Sequence, residues 1–119
     1  MEFKKHVVGE KNVAEIISDQ VEINSVEDGK DLLGNVYYQN FDGVIVYKKH
    51  ITPDFFDLKN GIAGDILQKF SNYRIRLAII GDFSGFTSQS IRDFIFESNK
   101  MGHVVFVAKL EEALDLLGK

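Results

Sequence analysis

The chain has 119 residues, 45% of them hydrophobic, with a net charge of −4 and no cysteine. This length makes one domain with a genuine core, and the missing cysteines exclude a disulfide framework, a thiolate zinc site and a cysteine nucleophile. An acidic chain whose only local basic cluster is Lys48, Lys49 and His50 is a poor fit to nucleic acid, so no such partner is expected.

The first segments read as strands. "FKKHVV" (3–8) and "NVAEIIS" (12–18) are separated by Gly9-Glu10-Lys11, a spacing that predicts a hairpin. The opening "MEFKKHVVGEK" is charged and lacks the apolar stretch of a secretory leader. The longest clean apolar runs, such as "LAII" at 77–80, are too short for a bilayer. A cytoplasmic protein without a membrane partner is therefore expected.

Ser25, with Asp28 three residues on, predicts a helix start. Val26, Leu32, Leu33, Val36 and Tyr37 share one face of that helix. Gly29 and Gly34 lower its intrinsic propensity, so packing must make up the difference. "GVIVYKK" (43–49) is mostly β-branched and nearly continuous, the pattern of a buried strand. Next, Thr52 is expected to cap a second helix with Pro53 in its first turn. Asp54 and Asp57 would then meet the helix dipole, and Gly61 and Gly64 would allow close packing on the sheet.

"RIRLAIIGDF" (74–83) is another buried strand. Thr87 is expected to cap the helix "SQSIRDFIFESNK", with Ile91, Phe94, Ile95 and Ser98 facing inward and Gly102 at its C-terminal end. "HVVFVAK" (103–109) is a last strand, and "LEEALDLL" (110–117) a terminal amphipathic helix. The order β-β-α-β-α-β-α-β-α predicts one α/β domain over residues 1–119. Its five-stranded sheet should be mainly parallel, with right-handed crossovers and an antiparallel edge strand.

In such a sheet, ligands bind beyond the carboxyl ends of the strands. Loops 50–60 and 82–90 should meet there and bring together Thr52, Asp54, Asp57, Asn60, Asp82, Ser84 and Thr87. Asp54, Asp57 and Asp82 would suit Mg²⁺, since hard cations take oxygen ligands, but helix capping accounts for Asp54 and Asp57 without a metal. "GDFSGFTSQS" (81–90) is a generic anion site that lacks the lysine of a P-loop and the spacing of a dinucleotide fingerprint. Ser84, His50 and Asp82 form a triad only on paper, without a nucleophile elbow. His6 and His103 lie in strands, so no histidine metal cluster is expected. Phe55, Phe56, Phe83 and Phe86 flank the same loops. Phe55 and Phe56 are adjacent, so a helix cannot bury both in one core. Rings left exposed there would make an apolar patch suited to a protein contact.

Two resemblances follow from these segments. The element order resembles the STAS domain, the fold of bacterial anti-sigma factor antagonists. "LKNGIAG" can be laid over the STAS pattern in which a Ser or Thr phosphoacceptor precedes a glycine: Gly61 matches that glycine and Ile62 the aliphatic residue. Asn60 then stands at the phosphoacceptor position, so the resemblance carries no phosphorylation site there. Separately, "ITPDFFDLKNGIAGDILQKFSNYRIRLAIIGDF" and "TSQSIRDFIFESNKMG" resemble a family of small bacterial proteins known as domain of unknown function 4180. That resemblance implies a bacterial, stand-alone protein and no particular activity.

The expected function is a binding or regulatory module rather than an enzyme, without cofactor or metal. It would contact a protein partner or a second copy through Thr52, Asp54, Phe55, Phe56, Asp57, Asn60, Asp82, Phe83, Ser84, Phe86 and Thr87. The alternative is a small-molecule or Mg-dependent phosphate-handling enzyme using Asp54, Asp57 and Asp82.

Overall fold

A computed structural model describes all 119 residues. The chain opens with strands β1 (Glu2–Val8) and β2 (Lys11–Ile17), joined through Gly9, whose φ of 62° suits the tight turn. There follow α1 (Val26–Tyr38), β3 (Gly43–Tyr47), α2 (Ile62–Asn72), β4 (Arg76–Ile80), α3 (Gln89–Met101), β5 (Val104–Val107) and α4 (Leu110–Leu117). The strands lie side by side in chain order. β1 and β2 are antiparallel, and every later pair is parallel. This is the α/β sheet with one antiparallel edge strand that the sequence predicts.

Each right-handed crossover advances the sheet by one strand in the same direction, so α1, α2 and α3 fall on one face. Alternate strand residues therefore serve two separate cores. Ala14, Ile16, Val44, Val46, Leu77, Ile79, Val104 and Phe106 share a core with Leu32, Leu33, Val36, Ile66 and Phe70 of the helices. Val13, Ile45, Ala78, Ile80, Val105 and Val107 point the other way, onto Ala113 and Leu117 of α4. The end of α4 reaches back to β1, where Gly118 lies against Val8 with no room for a Cβ.

Two details keep the helix layer tight. A Cβ on Gly29 would come within 2.8 Å of Ile66 Cγ1, so the glycine is what lets α1 and α2 approach. The Arg76 guanidinium donates to the carbonyls of Leu116 and Gly102, at 2.6 and 2.7 Å, and so caps the ends of α4 and α3. The free edge of β5 is also closed. Asn99 accepts from the Phe106 N–H at 2.6 Å and donates to the Phe106 carbonyl at 3.1 Å, while the Ser98 hydroxyl donates to the Val104 carbonyl.

Several expectations need correction. The strand after residue 43 ends at Tyr47, and Lys48–His50 form a 3-10 turn. Thr52 does cap a helical turn, accepting the Asp54 N–H at 3.3 Å, but that turn is a 3-10 segment covering Pro53–Phe56. Asp57, at φ −89° and ψ 86°, leaves the helical region and stops it. A second 3-10 turn spans Leu58–Asn60, and α2 starts only at Ile62, after left-handed Gly61. Asp57 is thus not in the first turn of an α-helix. Gly64 is exposed, with open space where a Cβ would go, so it serves no close packing. Thr87 is not a cap either, because α3 begins at Gln89 after Ser88. Tyr37 is 52% exposed and does not join the buried face of α1.

Candidate functional site

The carboxyl end of the sheet is built outward from the turn Lys48–His50. A Cβ on Gly81 would lie 2.6 Å from Lys48 Cβ, so the end of β4 must be bare for that turn to pack against it. The His50 ring is buried and fully engaged. Its Nδ1 accepts from the Tyr47 N–H at 3.1 Å, and its Nε2 donates to the Ser18 carbonyl at 2.9 Å. Its own carbonyl accepts from the N–H groups of Glu22 and Ile23. One neutral tautomer meets all these demands. His50 therefore ties the end of β2 to the end of β3 and is not turned toward Ser84, so the paper triad does not form.

The four phenylalanines divide. Phe55 is 1% exposed and belongs to the core, which corrects its expected role as a surface anchor. Phe56, Phe83 and Phe86 are half-buried. Phe56 bridges inside to outside: its ring centre lies 5.0 Å from Phe55 and 4.9 Å from Phe86. Phe83 stacks nearly parallel to Phe86 at 6.4 Å and meets Phe106 of β5 edge-on at 5.4 Å. The rings of one loop thus close onto the rings of the other, and segments 53–56 and 83–86 form one surface. Lys48 lies over it, with Nζ 4.9 Å from the Phe86 ring centre and 5.6 Å from that of Phe83, and donates to the Asp82 carbonyl at 2.8 Å.

The polar residues mostly organise their own loops. Asp82 Oδ1 accepts from the Ser84 hydroxyl at 2.6 Å and from the Ser84 N–H at 3.0 Å. Those two bonds, with a smaller contribution from Lys48, hold its carboxyl below the ordinary range. Asn60 donates to the Asp54 carbonyl at 2.7 Å and accepts the Ile62 N–H at 2.9 Å, so it fastens the 53–56 turn to the start of α2. Thr52 is buried as a cap, while Asp54, Asp57, Ser84 and Thr87 are exposed. No group of three or more His, Asp or Glu side chains is placed to hold a metal ion, so Asp54, Asp57 and Asp82 do not assemble into a site.

Lys48 was visible in the sequence only as part of a small basic cluster, and nothing there placed it over Phe83 and Phe86. A second polar group also escaped. Glu15, inside the strand "NVAEII", is 8% exposed and accepts from Tyr47 and His6. An acid in the middle of an apolar strand was the available signal.

Residues 8–117, from the end of β1 to the end of α4, match the family described as domain of unknown function DUF4180. The chain belongs to the DUF4180 family. No curated protein and no solved structure matches it. Both loops of the ring cluster lie within the matched span of this DUF4180 chain, and no helix in it is long and apolar enough to cross a membrane.

Proposed function

We propose that this DUF4180 chain is a bacterial, cytoplasmic binding or regulatory module that contacts a partner protein through the carboxyl end of its sheet. The observation that carries this reading is the joining of two loops by Phe56 and Phe86, 4.9 Å apart. Rings already packed against one another lose little freedom on binding, which favours association. Partly buried Phe56, Phe83 and Phe86 act as the apolar centre, and Asp54, Asp57 and Asp82 around them give specificity. A further role for the acids as a magnesium site has no support in their placement.

The test is affinity capture from the native host with the wild type, Phe86→Ala and Asp57→Ala, each shown to be folded. One partner should bind the wild type and be lost from both variants. Retention of the same partner by both variants would count against this surface. Sedimentation of the same three proteins tells a foreign partner from a second copy of the chain.

A further inference from the structure

At the opposite end of the helix layer, α1 and α2 leave an open groove of about 530 Å³. Tyr37, Tyr38 and Tyr73 wall it, Lys30 and Lys69 line it, and Gly34 lies in its floor. No carboxylate lines it, in a chain whose net charge is −4. Lys69 has no ion-pair partner, and the partner of Lys30 is Glu27 at 3.3 Å, a solvent-exposed pair of the weak kind.

The tyrosines touch one another but leave much of their surface in water. Tyr37 meets Tyr38 and Tyr73 edge-on, at 6.0 and 5.7 Å between ring centres. Yet Tyr37 and Tyr73 remain about half exposed, at 52% and 55%, and Tyr38 is 84% exposed. None of the three hydroxyls has a partner within the chain.

Gly34 supplies an independent sign. A glycine inside a helix costs about 1 kcal/mol relative to alanine. Gly29 has a reason, the side chain of Ile66, but a Cβ on Gly34 would meet nothing within 4 Å. Packing does not require Gly34, and what its bareness achieves is a deeper groove.

We propose that this groove binds a small planar anion of the nucleotide class, its ring among Tyr37, Tyr38 and Tyr73 and its phosphate toward Lys30 and Lys69. The layout has a direction. α1 and α2 run the same way, and the lysines precede the tyrosines along both, by roughly 10 Å on α1 and roughly 6 Å on α2. The phosphate end lies on the N-terminal side of the rings on both helices, and Lys69, in the last turn of α2, sets its positive charge against that helix's C-terminal carbonyls. Ring stacking on tyrosine accepts any base, and the two ammonium groups select for charge. The volume falls within the range of small-ligand sites. A second copy of the chain is a poorer occupant, since a two-fold contact would bring two lysine-bearing grooves together with no carboxylate lining either.

Three of the four tyrosines line this groove and the chain has no tryptophan, so intrinsic emission reports on it directly. The probes are AMP, adenosine and inorganic phosphate, with free tyrosine correcting for absorbed light. AMP should change the emission with a dissociation constant on the order of 0.1–1 mM, and adenosine and phosphate should each bind about tenfold more weakly. Gly34→Leu should abolish the AMP response in a protein at least as heat-stable as the wild type. Tyr38→Ala and Lys69→Ala, at solvent-accessible side chains, should each weaken it about fivefold and keep the test open should Gly34→Leu not fold. No response to AMP up to about 10 mM, an equal response in Gly34→Leu, or phosphate binding as tightly as AMP would overturn the proposal. So would a dimer in sedimentation that Gly34→Leu dissociates, because a second copy would then fill the groove.

Discussion

The Tyr47 hydroxyl donates to the Glu15 carboxylate at 2.7 Å, across the boundary between β3 and β2. The same carboxylate meets His6 Nε2 of β1 at 2.8 Å, so one acid links three strands. Burial alone would raise the Glu15 carboxyl. The bonds from Tyr47 and His6, with the nearby charges of His6 and Lys4, outweigh it and bring it below its ordinary 4.5. Burial first, and then the Glu15 contact, push Tyr47 from 10.0 up to about 12.

These shifts predict two flanks in stability against pH. A phenol harder to ionise when folded contributes stability in full below about pH 10, and that contribution is lost as pH rises toward about 12. A carboxylate held down by its partners contributes stability above about pH 4.5, and that contribution is lost as pH falls through its lowered value. Urea midpoints measured across pH should show the alkaline flank in the wild type and a shallower one in Tyr47→Phe. Superimposable alkaline flanks in the two proteins would remove Tyr47 from the account.

Gly29 and Gly34, five residues apart on one helix, should respond to the same substitution with opposite signs. Gly29→Ala sets a methyl against Ile66 and should destabilise by about 1–3 kcal/mol through overpacking. Gly34→Ala meets open space and should stabilise by about 0.5–1 kcal/mol. Thermal melts of the two variants check this directly, and a shared sign would refute the assignment.

The adjacent phenylalanines should separate just as clearly. Phe55→Ala empties a core site and should cost about 3–5 kcal/mol. Phe86→Ala removes a partly buried ring and its contacts with Phe56 and Phe83, and about 1 kcal/mol is expected. Chemical denaturation of both gives the ratio. A loss at Phe86 as large as that at Phe55 would mean that the two loops are part of the core.

Strand identities and the mainly parallel pairing were legible because apolar runs and helix caps are local signals and helices between strands require crossovers, whereas the order of the strands across the sheet was left open. The stretch after Thr52 misled for a physical reason: Thr-Pro-Asp starts a 3-10 turn as readily as an α-helix. What stops it is the backbone of Asp57 and a side-chain bond from Asn60, and neither leaves a mark in composition. The doubled Phe55-Phe56 showed that one ring must leave the core, but not which one. The tyrosine groove was invisible because Lys30 and Lys69 are far apart in sequence and line one groove only when α1 packs on α2.

Asn99 offers Phe106 the N–H and C=O pairing that a sixth strand would offer. Asn99→Ala should uncover that edge and the apolar β5 behind it. The variant is expected to fold and then to self-associate with rising concentration, as read by light scattering. A variant that stays monomeric would show that Ser98 and the surrounding helix protect the edge without Asn99.

Because the strands are paired in chain order, each new strand leaving a ribosome finds its neighbour already made. No strand waits for a later one, and each pairing closes only one intervening helix or turn, which keeps the entropic cost of every step low. The exception is the last helix: α4 crosses back beneath the finished sheet and sets Gly118 against Val8 of the first strand. Synthesis therefore leaves the face carrying Val13, Ile45, Ala78 and Val105 uncovered until α4 has emerged. During that interval this apolar face is the part of the nascent chain most open to contact with other chains.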